Sequence, residues 1–164
     1  MAQEVTNYAF TNKVLGNVFA NLDIADGLSF RTTLGIDYMS LDEVLFIPPN
    51  NLTYEGRSTN GSGTNAYTQN MSWINENTLN YIKDIGDKHR LNILLGYSAQ
   101  ESKMTRTMAS GTNFALEAIQ TLDSASIRNS SSTGSSWGLA SYFSRVNYSF
   151  NNKLNLSASY RIDG

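Results

Sequence analysis

Side chains that commonly carry out chemistry are sparse in this chain of 164 residues. There is no cysteine, which excludes thiolate chemistry and disulfides, and the only histidine, His89, has no second imidazole to share a metal ion. The carboxylates of Asp37 and Glu76 fall in segments separated by a long polar stretch, and nothing in their spacing predicts the separation that paired-carboxylate catalysis needs. We therefore expect no enzyme, no cofactor and no metal site.

The composition excludes further classes of protein. The net charge is −2 and only 16% of the residues are charged, so the basic surface of a nucleic-acid-binding protein is absent and we expect no nucleic-acid partner. The first residues, Met1 to Val5, lack the basic and apolar regions of a signal peptide, and no run approaches the 18 apolar residues of a spanning helix. A transmembrane β-barrel stays compatible with these observations, because its strands alternate between apolar and polar residues.

Apolar residues recur at every second position in six segments, which is the period of a strand with one apolar face. Short turns such as Asp26-Gly27 join the strands within each pair, whereas two polar stretches of more than thirty residues join one pair to the next. The second stretch has helical apolar spacing from Asn113 to Leu122, which a packed loop turn or a short helix would explain. The predicted strands are 13–24, 28–38, 71–84, 89–102, 137–150 and 154–164, and the predicted loops are 39–70 and 103–136.

This order predicts an all-β, antiparallel up-and-down meander of about six strands, part of a larger transmembrane β-barrel. Such barrels have short periplasmic turns and long extracellular loops. Large aromatics stand eight residues apart on the apolar face, which at about 3.3 Å per residue and a tilt near 40° climbs roughly 20 Å, close to the apolar band of about 25 Å. These aromatic pairs are Phe30 and Tyr38, Trp73 and Tyr81, and Tyr142 and Phe150. A soluble sheet with one wet face would share the same segregation of polar and apolar residues.

Three stretches of the chain resemble the barrel of the SusC/RagA-type TonB-dependent outer-membrane transporters: 15–38, 73–102 and 139–164. The most specific parts are ENTLNY at 76–81 with LGY at 95–97, and YFSRVNY at 142–148 leading into RIDG at 161–164. The resemblance implies a barrel of 22 strands filled by an N-terminal plug and energised through TonB. It also implies a SusD-like lipoprotein lid that helps to capture glycans or peptides.

On this resemblance, residues 1–164 form a partial barrel domain without plug or signal peptide, in the outer membrane of a Gram-negative, Bacteroidota-like bacterium. Its partners would be membrane lipid, the plug of the same full-length chain, the SusD-like lipoprotein and TonB. Four arginines are candidates to face the plug or lumen: Arg31, Arg90, Arg145 and Arg161. Three aromatics of the first loop are candidates to contact substrate or lid: Phe46, Tyr54 and Tyr67.

Two other hypotheses fit the same residues. One is a soluble or surface-attached β-sandwich that binds carbohydrate through aromatic loops. The other is a small, complete eight-stranded outer-membrane barrel, which forms if Glu43 to Ile47 pairs with Leu52 to Gly56 inside the first loop.

Overall fold

A computed structural model describes residues 4–51, 53–115 and 119–164, with the side chain of Tyr54 outside the description. The chain forms six β-strands, with a short helix α1 (Tyr54–Thr59) between the second and third and a 3-10 turn (Leu122–Ser124) before the fifth. The strands are β1 (Thr6–Ala25), β2 (Leu28–Ile47), β3 (Ser62–Ile85), β4 (His89–Phe114), β5 (Ala125–Phe150) and β6 (Leu154–Asp163).

The strands form one sheet in the order β1-β2-β3-β4-β5-β6. Each strand pairs with its neighbour in sequence, so the predicted all-β antiparallel meander is confirmed. None of the helices in the described ranges is long and apolar enough to cross a membrane. The chain divides into two compact units. Unit 1 comprises Met1–Val14, Tyr38–Met71 and Lys103–Ser135, and unit 2 comprises Leu15–Asp37, Ser72–Ser102 and Ser136–Gly164.

Three tight turns close the hairpins where the sequence predicts them, and each uses left-handed backbone. Gly27 has φ +74° and Gly86 has φ +61°, a region that only glycine enters without steric cost. The third turn uses Asn151 and Asn152 at φ 51° and 53°, since asparagine tolerates this conformation better than most residues. Gly27 is constrained a second time, because a Cβ there would overlap the carbonyl oxygen of Ile82.

The strands extend well into the two predicted loops, and this is the main correction to the sequence analysis. The predicted loops 39–70 and 103–136 shorten to connections over 48–61 and 115–124. The added strand residues include the run Asn129 to Ser136, which is polar or glycine throughout. Alternation cannot reveal such a strand, because neither of its faces is apolar; backbone pairing with the adjacent strand keeps it extended.

Two of the alternatives left open inside the loops do not form. Of the short helix and the packed loop turn considered for Asn113–Leu122, the described residues show no helix, because Asn113 and Phe114 end β4 and the 3-10 turn covers only Leu122–Ser124; residues 116–118 lie outside the described residues. The extra hairpin of an eight-stranded barrel is also absent, because Glu43 to Ile47 ends β2 and the following segment becomes α1. Thr53 caps this helix, its hydroxyl oxygen accepting a hydrogen bond from the Gly56 N–H at 3.2 Å.

Unit 1 contains a small apolar core beneath the first connection. The rings of Phe46 and Phe114 meet edge to face with centroids 5.0 Å apart, and both are 1% exposed. Ala125 and Leu122 pack against them. Gly63 lies so close to Leu122 and the Phe114 ring that a Cβ would reach both at about 3 Å.

Candidate functional site

The pairing of β5 with β6 in unit 2 separates polar from apolar residues onto opposite faces of the sheet. On the apolar face, Tyr142, Val146, Tyr148 and Phe150 lie opposite Ile162, Ala158, Leu156 and Leu154. On the polar face, Ser141, Arg145, Asn147 and Ser149 lie opposite Asp163, Ser159, Ser157 and Asn155. Two cross-strand pairs are mixed, Ser144 with Tyr160 and Phe143 with Arg161. A one-residue slip would exchange the two faces, so this register is strongly determined.

Large apolar side chains on the apolar face are open to the surroundings. Tyr142 is 62% exposed, Leu156 57% and Tyr160 66%. A contiguous apolar surface of this kind is rare on a soluble monomer and marks a surface that something apolar covers.

Two aromatic clusters lie on the apolar face, eight residues apart along both β4 and β5. At one level the rings of Tyr97 and Tyr142 have centroids 5.0 Å apart. At the other level His89 contacts Tyr148, with Nδ1 2.6 Å from the tyrosine hydroxyl, and its ring centroid is 4.9 Å from that of Phe150. The single histidine is therefore a packing residue at the start of β4, and no group of three or more His, Asp or Glu in the described ranges could hold a metal ion.

Glycines on the polar side of unit 2 make room for large neighbours on adjacent strands. A Cβ on Gly35 would approach the Ile74 side chain at 2.9 Å. A Cβ on Gly96 would overlap the ring of Phe143. Both glycines therefore allow close packing between neighbouring strands on the polar face.

Two of the four predicted arginines, Arg31 and Arg90, interact with nearby side chains. The Arg31 guanidinium lies 4.4 Å from the centroid of the Phe19 ring, a cation–π contact, and its Nε donates a long hydrogen bond of 3.5 Å to Thr33. Arg90 forms an exposed ion pair of 3.8 Å with Asp84, which contributes little to stability.

The other two arginines, Arg145 and Arg161, line one pocket on the polar face together with Glu76. The pocket has a volume of about 570 Å³. Arg161 is held in place, since its Nε donates to Asp163 at 2.7 Å and its Nη2 donates to the Ser141 hydroxyl at 3.0 Å. Arg145 forms no ion pair or side-chain hydrogen bond within the described ranges.

A second concavity of about 410 Å³ in unit 2 brings Asp37 and Glu76 together on its lining, along with Trp73 and Trp137. Sequence reasoning kept these carboxylates apart because a long loop separates them. The two carboxylates share this lining because β2, which contains Asp37, pairs with β3, which contains Glu76. The predicted order of the strands was the feature of the sequence that could have indicated this. Glu76 lines both concavities and so links them.

The three aromatic residues predicted to contact a substrate or lid differ in their exposure. Phe46 is fully buried in the core of unit 1, so the structure gives its ring a packing role. The side chain of Tyr54 lies outside the described residues. Tyr67 is 45% exposed. Its pKa is raised above the ordinary 10.0, mainly by its hydrogen bond with Tyr38 and to a smaller extent by desolvation.

Two contacts in unit 1 could not be predicted from the sequence. Asn60 and Asn113 both have left-handed backbone, and the Asn60 amide donates to the Asn113 side-chain oxygen at 2.9 Å, which fastens the first connection to the end of β4. Arg106 and Glu43, from the two strands that flank β3, form an ion pair of 3.3 Å. Each joins residues more than fifty positions apart, and no short-range pattern encodes such a pair.

Comparison with known proteins finds relatives along nearly the whole chain, although no family model matches it. TonB-dependent receptor P26 of Formosa agariphila is 32% identical over 97% of this chain, and TonB-dependent receptor P39 of the same organism is 29% identical over 89%. The chain spans 16% and 14% of the length of these two relatives.

Solved structures agree with this result. The RagAB peptide importer in the 'open-open' state is 25% identical with a TM-score of 0.85, over 97% of this chain and 18% of that one. The RagAB peptide transporter structure is 24% identical, also with a TM-score of 0.85, over 96% of this chain.

An open antiparallel meander whose β5–β6 pair has one polar and one exposed apolar face, and which receptor barrels match along its length, has the architecture of a barrel-wall segment. Along 97% of its length the chain is similar to a segment of the barrel of TonB-dependent receptors of the SusC/RagA type. These relatives are receptors and transporters, not enzymes.

Proposed function

We propose that the whole receptor containing this chain imports peptides or glycans across the outer membrane of a Bacteroidota-like bacterium, with this segment as part of the barrel wall. The observation that carries the proposal is the β5–β6 register, which puts Tyr142, Val146 and Leu156 on one face and Arg145 and Asn147 on the other. A wall between lipid and an aqueous lumen needs this arrangement. The likeness to the RagAB peptide importer supports peptides as one substrate class.

The partners follow from the same proposal. Membrane lipid covers the apolar face, a plug of the same full-length chain fills the lumen, TonB supplies energy, and a SusD-like lipoprotein acts as the lid. The RagAB structures support a two-protein assembly of this kind. Tyr67 is the exposed aromatic best placed to contact a ligand or lid, and Arg31, Arg90, Arg145 and Arg161 are the proposed lumen residues.

A pair of adjacent substitutions in the full receptor tests the membrane wall. Val146→Arg puts a charge on the apolar face, where an arginine near the bilayer midplane costs about 2–4 kcal/mol, whereas Asn147→Arg puts the same charge on the polar face. We expect Val146→Arg to lower the amount of folded receptor in outer-membrane fractions, measured by heat-modifiable migration on gels, and Asn147→Arg to leave it near wild type. Equal amounts of the two variants would contradict the assignment of the faces.

Transport is tested by deleting the gene in its host and measuring growth with peptides or with single polysaccharides as the limiting nutrient. We expect a growth defect on one nutrient that the restored wild-type gene corrects. Growth equal to that of the parent strain on every peptide and glycan tried would contradict import as the function.

The two other hypotheses gain no support from the structure. A β-sandwich needs a second sheet facing the first, and the described residues form a single sheet. The eight-stranded barrel needs the hairpin that α1 replaces.

A further inference from the structure

The first connection of unit 1, residues 48–61, contains the only Asn-Gly dipeptide in the sequence, Asn60-Gly61. Asparagine followed by glycine is prone to deamidation, because glycine has no Cβ to hinder the approach of its own nitrogen to the preceding side chain. In this reaction the Gly61 nitrogen attacks Cγ of Asn60, so that the N–Cγ bond forms and the Cγ–Nδ2 bond breaks. The amide leaves as ammonia with the proton of the Gly61 N–H, and water opens the resulting succinimide ring to aspartate or isoaspartate.

Both reacting groups are held by hydrogen bonds in the folded connection. The Gly61 N–H donates to the Gly56 carbonyl oxygen at 3.0 Å. The Asn60 amide donates to Asn113 Oδ1 at 2.9 Å and to the Phe114 carbonyl oxygen at 3.4 Å. The Phe114 N–H donates to the Asn60 carbonyl oxygen at 3.0 Å. Because these bonds hold the backbone of Asn60 at φ 51° and ψ 49°, the Gly61 nitrogen can attack only after the connection opens.

The products of the reaction cannot restore the contacts with the end of β4. An aspartate at residue 60 has no amide hydrogen to donate to the Phe114 carbonyl oxygen. An isoaspartate also inserts the former side-chain methylene into the main chain, which changes the spacing of the carbonyl groups that pair with Phe114 and Asn113. Deamidation therefore removes the bonds that fasten the connection.

We propose that Asn60-Gly61 is a spontaneous modification site, whose deamidation is limited by opening of the first connection and leaves that connection detached from β4. The reaction needs water and no second protein. Since it is irreversible, the modified fraction of the receptor records how often the connection has opened. The inference goes beyond the proposed function and does not depend on import, because every contact that it uses lies within unit 1.

The test follows deamidation by mass spectrometry in the full-length receptor purified in detergent, incubated at mildly alkaline pH either folded or unfolded in urea. Trypsin releases the peptide from Ser58 to Lys83, and rates are taken from the rise in modified peptide with incubation time. The same peptide contains five other asparagines as internal controls, none followed by glycine: Asn65, Asn70, Asn75, Asn77 and Asn80.

In the unfolded receptor, we expect residue 60 to deamidate faster than any of these five asparagines. Folding should slow the reaction at residue 60 by roughly fivefold for each of the two hydrogen bonds, from the Gly61 N–H and from the Asn60 amide, that opening breaks. A rate no higher than that of the five controls in the unfolded receptor overturns the site. Equal rates in the folded and unfolded receptor overturn the protection.

A variant pair at residue 113 tests whether the Asn60–Asn113 bond limits the reaction. Asn113→Gly removes the acceptor oxygen and adopts the φ of 61° at this position without steric cost, so residue 60 of the folded receptor should deamidate about fivefold faster. Asn113→Asp is the matched control, because its carboxylate keeps an acceptor for the Asn60 amide, and its rate should not exceed that of the wild type. Equal rates in the two variants overturn the proposal.

Hydrogen exchange measures the opening without the chemistry. The Gly61 amide should exchange faster in Asn113→Gly by the same factor as the deamidation, because both processes need the Gly61 N–H to leave the Gly56 carbonyl oxygen. Deamidated receptor, separated by chromatography, should exchange faster over residues 53–61 than the unmodified receptor. Unchanged exchange in the deamidated receptor shows that the connection stays attached and overturns the proposed detachment.

Discussion

The Gly96–Phe143 contact offers the clearest quantitative test of the packing on the polar face. An alanine Cβ at residue 96 would overlap Cε2 and Cζ of the Phe143 ring and lie 2.7 Å from its Cδ2. Ordinary contact begins at 3.4 Å, so the ring must move by more than 0.7 Å, the difference between 3.4 and 2.7 Å. Overpacking of this kind costs about 1–3 kcal/mol, and we expect Gly96→Ala to lower the stability of the full receptor by that amount.

The assay is urea unfolding of the full receptor in detergent, followed by tryptophan fluorescence, with Gly16→Ala as the matched control. Gly16 also lies within a strand, but a Cβ there meets nothing within 4 Å. Alanine at that position should therefore be neutral or stabilise the receptor by about 0.5–1 kcal/mol, because glycine loses more backbone freedom on folding.

A second substitution separates steric overlap from other effects of Gly96→Ala. Phe143→Leu removes the ring atoms that the new Cβ would meet, so the double variant should be more stable than the sum of the single effects predicts. The reasoning is refuted if Gly96→Ala unfolds at the same urea concentration as Gly16→Ala, or if the two changes at 96 and 143 are additive.

Three further predictions concern turns and loops. Gly27→Ala should destabilise the full receptor by more than Gly86→Ala in urea unfolding, since both have left-handed backbone but only residue 27 would also overlap the Ile82 carbonyl; equal losses would contradict this. Asn60→Ala should speed hydrogen exchange of residues 53–61, because the 2.9 Å hydrogen bond to Asn113 is lost and alanine tolerates a φ of 51° poorly. The combined cost is about 1–2 kcal/mol. Asn152→Ala is the control and should leave the exchange of that segment unchanged. The hydrogen bond from Thr121 lowers the pKa of Asp123 below its ordinary 3.8, so its contribution to the turn at 122–124 is present above that value and disappears as the pH falls through the lowered pKa. Pepsin cleavage of the 119–125 segment should rise over that pH window in wild type and not in Asp123→Asn.

Much of the fold follows from short-range patterns in the sequence. Alternation along residues 28–38 and 89–102 fixes which side chains share a face, because successive side chains of a strand point to opposite sides. Gly27, Gly86 and the Asn151-Asn152 pair mark the three tight turns, since each supplies left-handed backbone. These local signals predict the number of strands, their order and their faces.

The lengths of the strands and the identity of the pocket needed the tertiary structure. The segments 103–114 and 125–136 contain few apolar residues, so only their pairing with neighbouring strands shows that they are extended. The sequence predicts Arg31, Arg90, Arg145 and Arg161 as one equivalent set. It cannot show that three of them have partners while Arg145 shares a pocket with Glu76, because Glu76 on β3 and Arg145 on β5 reach the same surface only through the pairing of both strands with β4. The sequence by itself determined a two-faced meander, which depends on contacts between near neighbours; the tertiary structure decided which distant charges share a surface, because strand pairing alone brings them together.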